Sequence, residues 1–259
     1  MDLSVSVLGS SSKGNCIVVR HGPDALMVDA GFSCRETQRR LAMLANPPSP
    51  ESFHGLCITH GHSDHFKGVK TIARSLHIPL YANSATAREA DPDHKLDWNF
   101  FQSGQDFDVG PFHLHPFRVM HDTEDPVGFR IHVGGYAIGI ATDLGMATSV
   151  VREYLSGCDI LLLESNHEPS LVRACHRPLR TIQRILGIQG HLCNDDCAQL
   201  LVDICQRRPP RHVLLAHLSH DCNDPKTAEY TTCRRLQDAG FPDVQVHLTY
   251  PDTPVTVTL

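Results

Sequence analysis

No stretch of the chain approaches the ~18 consecutive apolar residues of a membrane-spanning helix, which excludes an integral helical membrane protein. Met1 to Leu8 alternate and carry the acidic Asp2. They lack a basic leader ahead of an apolar core, so no signal peptide is expected. No Cys-x-x-Cys pair occurs among the 10 cysteines, which are scattered singly. Disulfide frameworks belong to short secreted chains, so free thiols in a reducing cytoplasm are expected. Cys193 and Cys197 find no partners at zinc-finger spacing. Positive charge is not in excess either. A net charge of -6 excludes a protein that grips nucleic acid over its whole surface, and leaves a local phosphate site open. With 41% hydrophobic and 20% charged residues, disorder, collagen and coiled coil are excluded. No linker or low-complexity segment divides the 259 residues, so one domain over 1–259 is expected.

What the chain has is histidine, 18 of them, a level that suggests metal binding, proton transfer or both. Strand and helix signals alternate. Strands are expected at Leu3–Leu8, Cys16–Arg20, Ala25–Asp29 and Gly55–Thr59, then Phe107–Val109, Phe112–Val119, Phe129–Val133 and Tyr136–Ala141. The last third adds Ile160–Leu163, His212–Ala216 and Val244–Leu248. Helices are expected at Cys34–Ala45, Phe66–Leu76, Ser149–Leu155, Leu179–Leu186, Asp195–Gln206 and Thr227–Ala239. A weak echo links the halves: Asp29-Ala30-Gly31 and Asp143-Leu144-Gly145 each follow a strand. The simplest architecture is α/β, with two sheets at the centre and helices outside.

Thr59-His60-Gly61-His62-Ser63-Asp64-His65 follows a buried strand and opens a helix. A loop turns the alternate residues His60 and His62 toward one point, and the next turn swings Asp64 and His65 toward a neighbouring one. Two adjacent centres with N/O ligands suit Zn²⁺, Mn²⁺ or Fe. The bland reading is a helix cap by Ser63 or Asp64, but a cap needs one such residue, not four.

HxHxDH after a strand resembles the metallo-β-lactamase fold, whose architecture is a four-layer αββα sandwich with similar halves. The resemblance runs along the chain. Asp29 matches the motif that supports the His loop without binding metal. His121, after the strand Phe112–Val119, would complete a His60, His62, His121 set. His217 would join Asp64 and His65, and Asp143 would bridge two divalent ions. His113, His115 and His220 are rivals, passed over because His121 and His217 each end an apolar strand. The implied nucleophile is a hydroxide bridging the ions, since paired metals lower the pKa of bound water to around 7. Asp64 is counted among the catalytic residues.

An Asp at position 143 fits hydrolases with two strong metal sites better than many antibiotic hydrolases. Leu163-Glu164-Ser165-Asn166-His167 and Gly190-His191-Leu192 are similar to strings in tRNA 3′-processing nucleases of the fold. There a Glu–His pair gives a proton to the leaving oxygen, which assigns that role to Glu164 and His191. Gly9-Ser10-Ser11-Ser12-Lys13-Gly14-Asn15-Cys16, Glu164-Ser165-Asn166-His167 and Ala216-His217-Leu218-Ser219 resemble the YycJ/WalJ-like branch. That resemblance implies a DNA exonuclease acting from 5′ ends. The chain departs from it at Cys193, where Ser is usual, and at Asp221-Cys222-Asn223. The short intervals from His121 to Asp143 and from Asp143 to His217 leave no room for the clamping additions of larger nucleases.

Residues 173–211 carry seven Arg against three acids, a local charge of +4. This run is read either as a phosphate-tracking stripe or as a solvated helix face. Substrate contacts are expected from Ser11 and Asn15, whose loop presents backbone N–H groups, from Asn166 and His167, from Arg180 and Arg184, and from Asn223. Asn194 is expected to cap the helix after it. A hydrolase of β-lactam, lactone or thioester is the alternative, with a narrow apolar pocket over the metals. A non-catalytic metal-binding protein is the third reading.

Overall fold

Near-continuous Val, Ile and Leu runs signal strands buried on both faces. The computed structural model describes residues 2–259 and holds fourteen strands among them. Met1, the first residue of the run read for a signal peptide, lies outside the described residues. One sheet takes β1 (Leu3–Ser11), β2 (Gly14–His21), β3 (Asp24–Val28), β4 (Phe53–Cys57), β5 (Leu80–Ala82) and β6 (Trp98–Phe100). The other takes β7 (Phe107–Val109), β8 (Phe112–Arg118), β9 (Val127–Val133), β10 (Tyr136–Ala141), β11 (Ile160–Glu164), β12 (His212–Ala216) and β13 (Gln245–Leu248). The last strand, β14 (Val255–Thr258), returns to pair antiparallel with β1. Each sheet is antiparallel on one side and parallel on the other, the change falling at β3 and at β10.

Side-chain alternation builds the layers. Val5, Ile17, Leu26, Phe129, Leu162 and Leu214 point between the sheets into one core. Val18, Met27 and Leu56 point the other way, under α1 (Cys34–Leu41) and α3 (Val69–Leu76). Leu161, Leu163 and Leu215 do the same under α5 (Ser149–Leu155), α8 (Asn194–Cys205) and α9 (Pro225–Asp238). The result is the αββα sandwich. No helix among the described residues is long and apolar enough to cross a membrane.

Some elements differ from expectation. The helix expected to Ala45 ends at Leu41 and unwinds through turns ahead of Pro47. The one expected over Phe66–Leu76 is split into α2 (Ser63–Phe66) and α3. The break lies at Gly68, whose N–H donates to Ala30 O at 2.8 Å and whose Cβ position is filled by the Phe32 carbonyl. Asn194 does not cap α8. Cys193 does, its Sγ accepting from Asp196 N–H at 3.4 Å, in the place where Ser is the commoner choice. Strands β5, β6 and β14, α4 (Ser84–Ala90) and α6 (Pro169–Ala174) were not expected.

Candidate metal centre

The parallel strands β3, β4, β10, β11 and β12 present their C-terminal ends together, where open α/β sheets bind ligands. Strand β8, two antiparallel pairings from β10, points the same way. Three residues at these ends leave their strands in the left-handed backbone region: Asp29 (φ 61°), Asp143 (φ 57°) and His217 (φ 55°). Such conformations cost about 1–3 kcal/mol each and gather at functional sites; Asp tolerates them better than most residues. The echo between Asp29 and Asp143 is therefore also conformational.

The structure brings the expected ligands together in the expected sets. His60, His62 and His121 offer nitrogens that all lie within 4.8 Å of one another, as do the ligand atoms of Asp64, His65 and His217. Asp143 stands between the sets. Its carboxylate is 3.0 Å from His65 Nε2, 3.3 Å from His217 Nδ1 and 3.7 Å from His121 Nε2. His60 Nε2, His217 Nε2 and Asp143 Oδ2 are buried and make no hydrogen bond. Burying such atoms without partners is costly, and a divalent cation bound by N and O donors would satisfy all three. The residues therefore fit the metals that the motif implies. The cap reading fails: His62 holds the cap position of α2 without a side-chain bond, while Asp64 turns toward Asn15 and His217.

A shell of hydrogen bonds orients the imidazoles. Asp29, fully buried, accepts from His65 Nδ1 at 2.7 Å and from Thr59 N–H at 2.9 Å, so His65 Nε2 faces the centre. His121 Nδ1 donates to Gly190 O at 2.9 Å, and Thr59 Oγ1 lies 3.1 Å from His60 Nδ1. Burial holds His60 well below the usual imidazole pKa, the neutral form a ligand needs. At His65 burial pulls down, but the Asp29 and Asp143 carboxylates win and lift it to about 10. Glu164, also fully buried, accepts at 2.9 Å from both His191 Nδ1 and His217 Nδ1. Its other oxygen accepts from Leu144 N–H at 2.8 Å and Leu192 N–H at 3.3 Å. Burial raises the carboxyl, yet the His191 and His217 bonds bring it to about 2.

The expected substrate residues separate. Arg184 lines the cleft with His62, Asp64, Asp143 and His191. Arg180 is exposed on α7 (Leu179–Ile185). Asn15 is buried, its amide donating to Ser11 O at 3.1 Å and to Asp64 at 3.3 Å, and Ser11 is buried beside it. Asn166 donates to His217 O at 2.7 Å, and Asn223 donates to the carbonyls of Ser165 and Asn166. These amides are committed to bracing the loops that carry His217 and His191. His167 is buried, which lowers its pKa to about 4. The rivals His113 and His115 pair with Asp108 and Asp106, and His220 with Asp221. Sequence reasoning missed Ser10, Thr59 and Asp122. Ser10 Oγ donates to Asn15 at 2.8 Å and accepts from His217 N–H at 2.9 Å, a link across 207 residues with no local signal. Asp122 and Thr59 flank expected ligands, which is the only signal they carry.

A family model described as a beta-lactamase superfamily domain matches residues 25–218. An exodeoxyribonuclease YycJ of Bacillus anthracis is 31% identical over 99% of both chains. An exodeoxyribonuclease WalJ of Streptococcus pneumoniae is 30% identical, over 98% of this chain and 96% of that one. The metallo-beta-lactamase fold protein YhfI of Bacillus subtilis superposes with a TM-score of 0.74 at 15% identity, over 98% of this chain and 99% of its own.

Proposed function

The chain belongs to the beta-lactamase superfamily, and on that premise we propose that this metal-dependent hydrolase is a DNA exonuclease acting from 5′ ends. Two divalent ions, zinc or manganese with iron also compatible, would be held by His60, His62 and His121 and by Asp64, His65 and His217, with Asp143 between them. Bound there, they would activate water and offset the charge that builds on the attacked phosphorus.

The observation that carries the nuclease reading is the Glu164–His191 pair beside these ligands. Breaking a phosphodiester leaves an alkoxide that needs a proton. Glu164 holds the Nδ1 edge of His191, which leaves Nε2 as the edge that can donate. The relatives named exodeoxyribonucleases support DNA as the substrate. The cleft walls support a charged substrate over a lactam or thioester: Ser12, Ser63, Asp64, Arg184 and His191 make no apolar pocket.

Linear DNA labelled at its 5′ ends tests the proposal, with Mn²⁺ or Zn²⁺ added and Asp64→Ala as control. The expected result is early release of labelled mononucleotide by the parent and none by the variant. No cleavage with any divalent metal would return the chain to the small-molecule reading.

A further inference from the structure

Of the seven Arg in the basic run, Arg184 alone lines the cleft. Arg177 is held by Asp221 at 2.7 Å, Arg207 by Glu153 at 2.6 Å and Arg208 by Asp159 at 3.1 Å. Arg184 lies in the last turn of α7, and the turn leading to His191 is fastened to that helix end. Gly187 N–H donates to Arg184 O at 3.2 Å and His191 N–H to Ile185 O at 3.1 Å. Gly190 passes so close that a Cβ would overlap both carbonyls. The guanidinium and the His191 imidazole thus ride on one corner.

Both teeth of the Arg184 fork grip Asp122, Nη2 reaching Oδ1 at 2.9 Å and Nε reaching Oδ2. Asp122 Oδ1 is in turn 3.6 Å from His62 Nε2 and 3.5 Å from His121 Nε2. The side chains of Arg184 and Asp122 are 45% and 31% exposed. An ion pair wetted to that degree holds weakly and exchanges readily. A phosphodiester offers the same fork two non-bridging oxygens in a similar arrangement and a full negative charge, so it can take the place of the carboxylate.

We propose that Arg184 is a phosphate clamp, parked on Asp122 and transferred to the phosphate next to the scissile one when a polynucleotide enters. The clamp rests on the nuclease reading and deepens it. It gives a small core domain a grip on its substrate without a clamping arm, and it makes Asp122 the resting partner that the phosphate displaces.

Steady-state kinetics on linear DNA and on bis(p-nitrophenyl) phosphate, a diester with no neighbouring phosphate, test it. Arg184→Ala is expected to raise KM for DNA about tenfold or more, with kcat changed less than about threefold, and to reduce the salt slope of binding by about one. The loss on the small diester is smaller than on DNA. Arg184→Lys restores the charge but not the fork, and recovers only part. Asp122→Asn lowers KM for DNA, and that effect disappears in the double variant. Equal losses on both substrates would overturn the clamp, as would loss of bound metal from Asp122→Asn, which would make Asp122 a ligand. A parent protein that cuts neither substrate would end the nuclease reading itself, and the clamp with it.

Discussion

Glu164 serves two imidazoles with one oxygen and two backbone N–H groups with the other, so its removal and that of His191 are not equivalent. The sequence treats them as one proton-donating pair. The structure ties Glu164 also to His217 and, through Leu144 N–H, to the turn that carries Asp143. His191→Ala removes one arm only. It is expected to keep its metal and to lose about 10²–10⁴-fold in DNA cleavage. Glu164→Ala also frees His217 and strands two buried N–H groups, at roughly 1–3 kcal/mol each. It is expected to lose metal as well as activity. Metal content by atomic emission, read beside cleavage rate, separates the two; a Glu164→Ala protein with full metal would sink this account.

At the scale of elements, α1 is fastened to the first sheet by a buried cation. Arg40 is 5% exposed, lies over the Phe32 ring at 3.9 Å and donates to Leu8 O and Pro251 O at 2.9 and 2.7 Å. Glu36 accepts from Arg39 and Arg40, and those bonds lower its carboxyl from 4.5 to about 2. A folded pKa below the unfolded one contributes stability that is full above about 4.5 and lost as pH falls toward 2. Glu36→Gln is therefore expected to melt lower than the parent at pH 7, with the gap closing on acidification. Calorimetry across that range checks it, and a gap that stays constant with pH would show the pairing to be idle. Elements of this kind were legible in the sequence where they carry period and length, as in α9 or β10. Strands β5 and β6 were not, since three residues hold no alternation to read. Strand β14 has the Val-Thr alternation but is only four residues long, and is defined mainly by pairing with β1. The Cys193 cap was missed because a thiol is an uncommon acceptor there, whereas Asn194 next to it is a preferred one.

Across the whole molecule the candidate centre joins the two halves. His60, His62, Asp64 and His65 come from the loop after β4 in the first sheet, while His121, Asp143 and His217 leave β8, β10 and β12 in the second. The local string was legible because seven consecutive residues hold four of the donors. The contacts that close the centre are long-range: Asp29 to His65 was expected only through the resemblance, and Ser10 to His217 has a partner that looks ordinary in sequence. Each set takes donors from both sheets, so a bound ion staples one half to the other. It favours the folded state, because the unfolded chain does not hold the donors together. At a free metal concentration about 1,000 times Kd, one site adds about 4 kcal/mol. For a chain of this size that is a rise in melting temperature on the order of 10 °C. Chelation is therefore expected to lower the transition by that order, and re-addition of Zn²⁺ or Mn²⁺ to restore it. Asp143→Asn, which weakens the group between the two sets, should keep only part of the shift. A melting temperature indifferent to chelator and to added metal would mean that the halves hold each other without ions, and the staple would be lost as an explanation for three orphaned buried atoms.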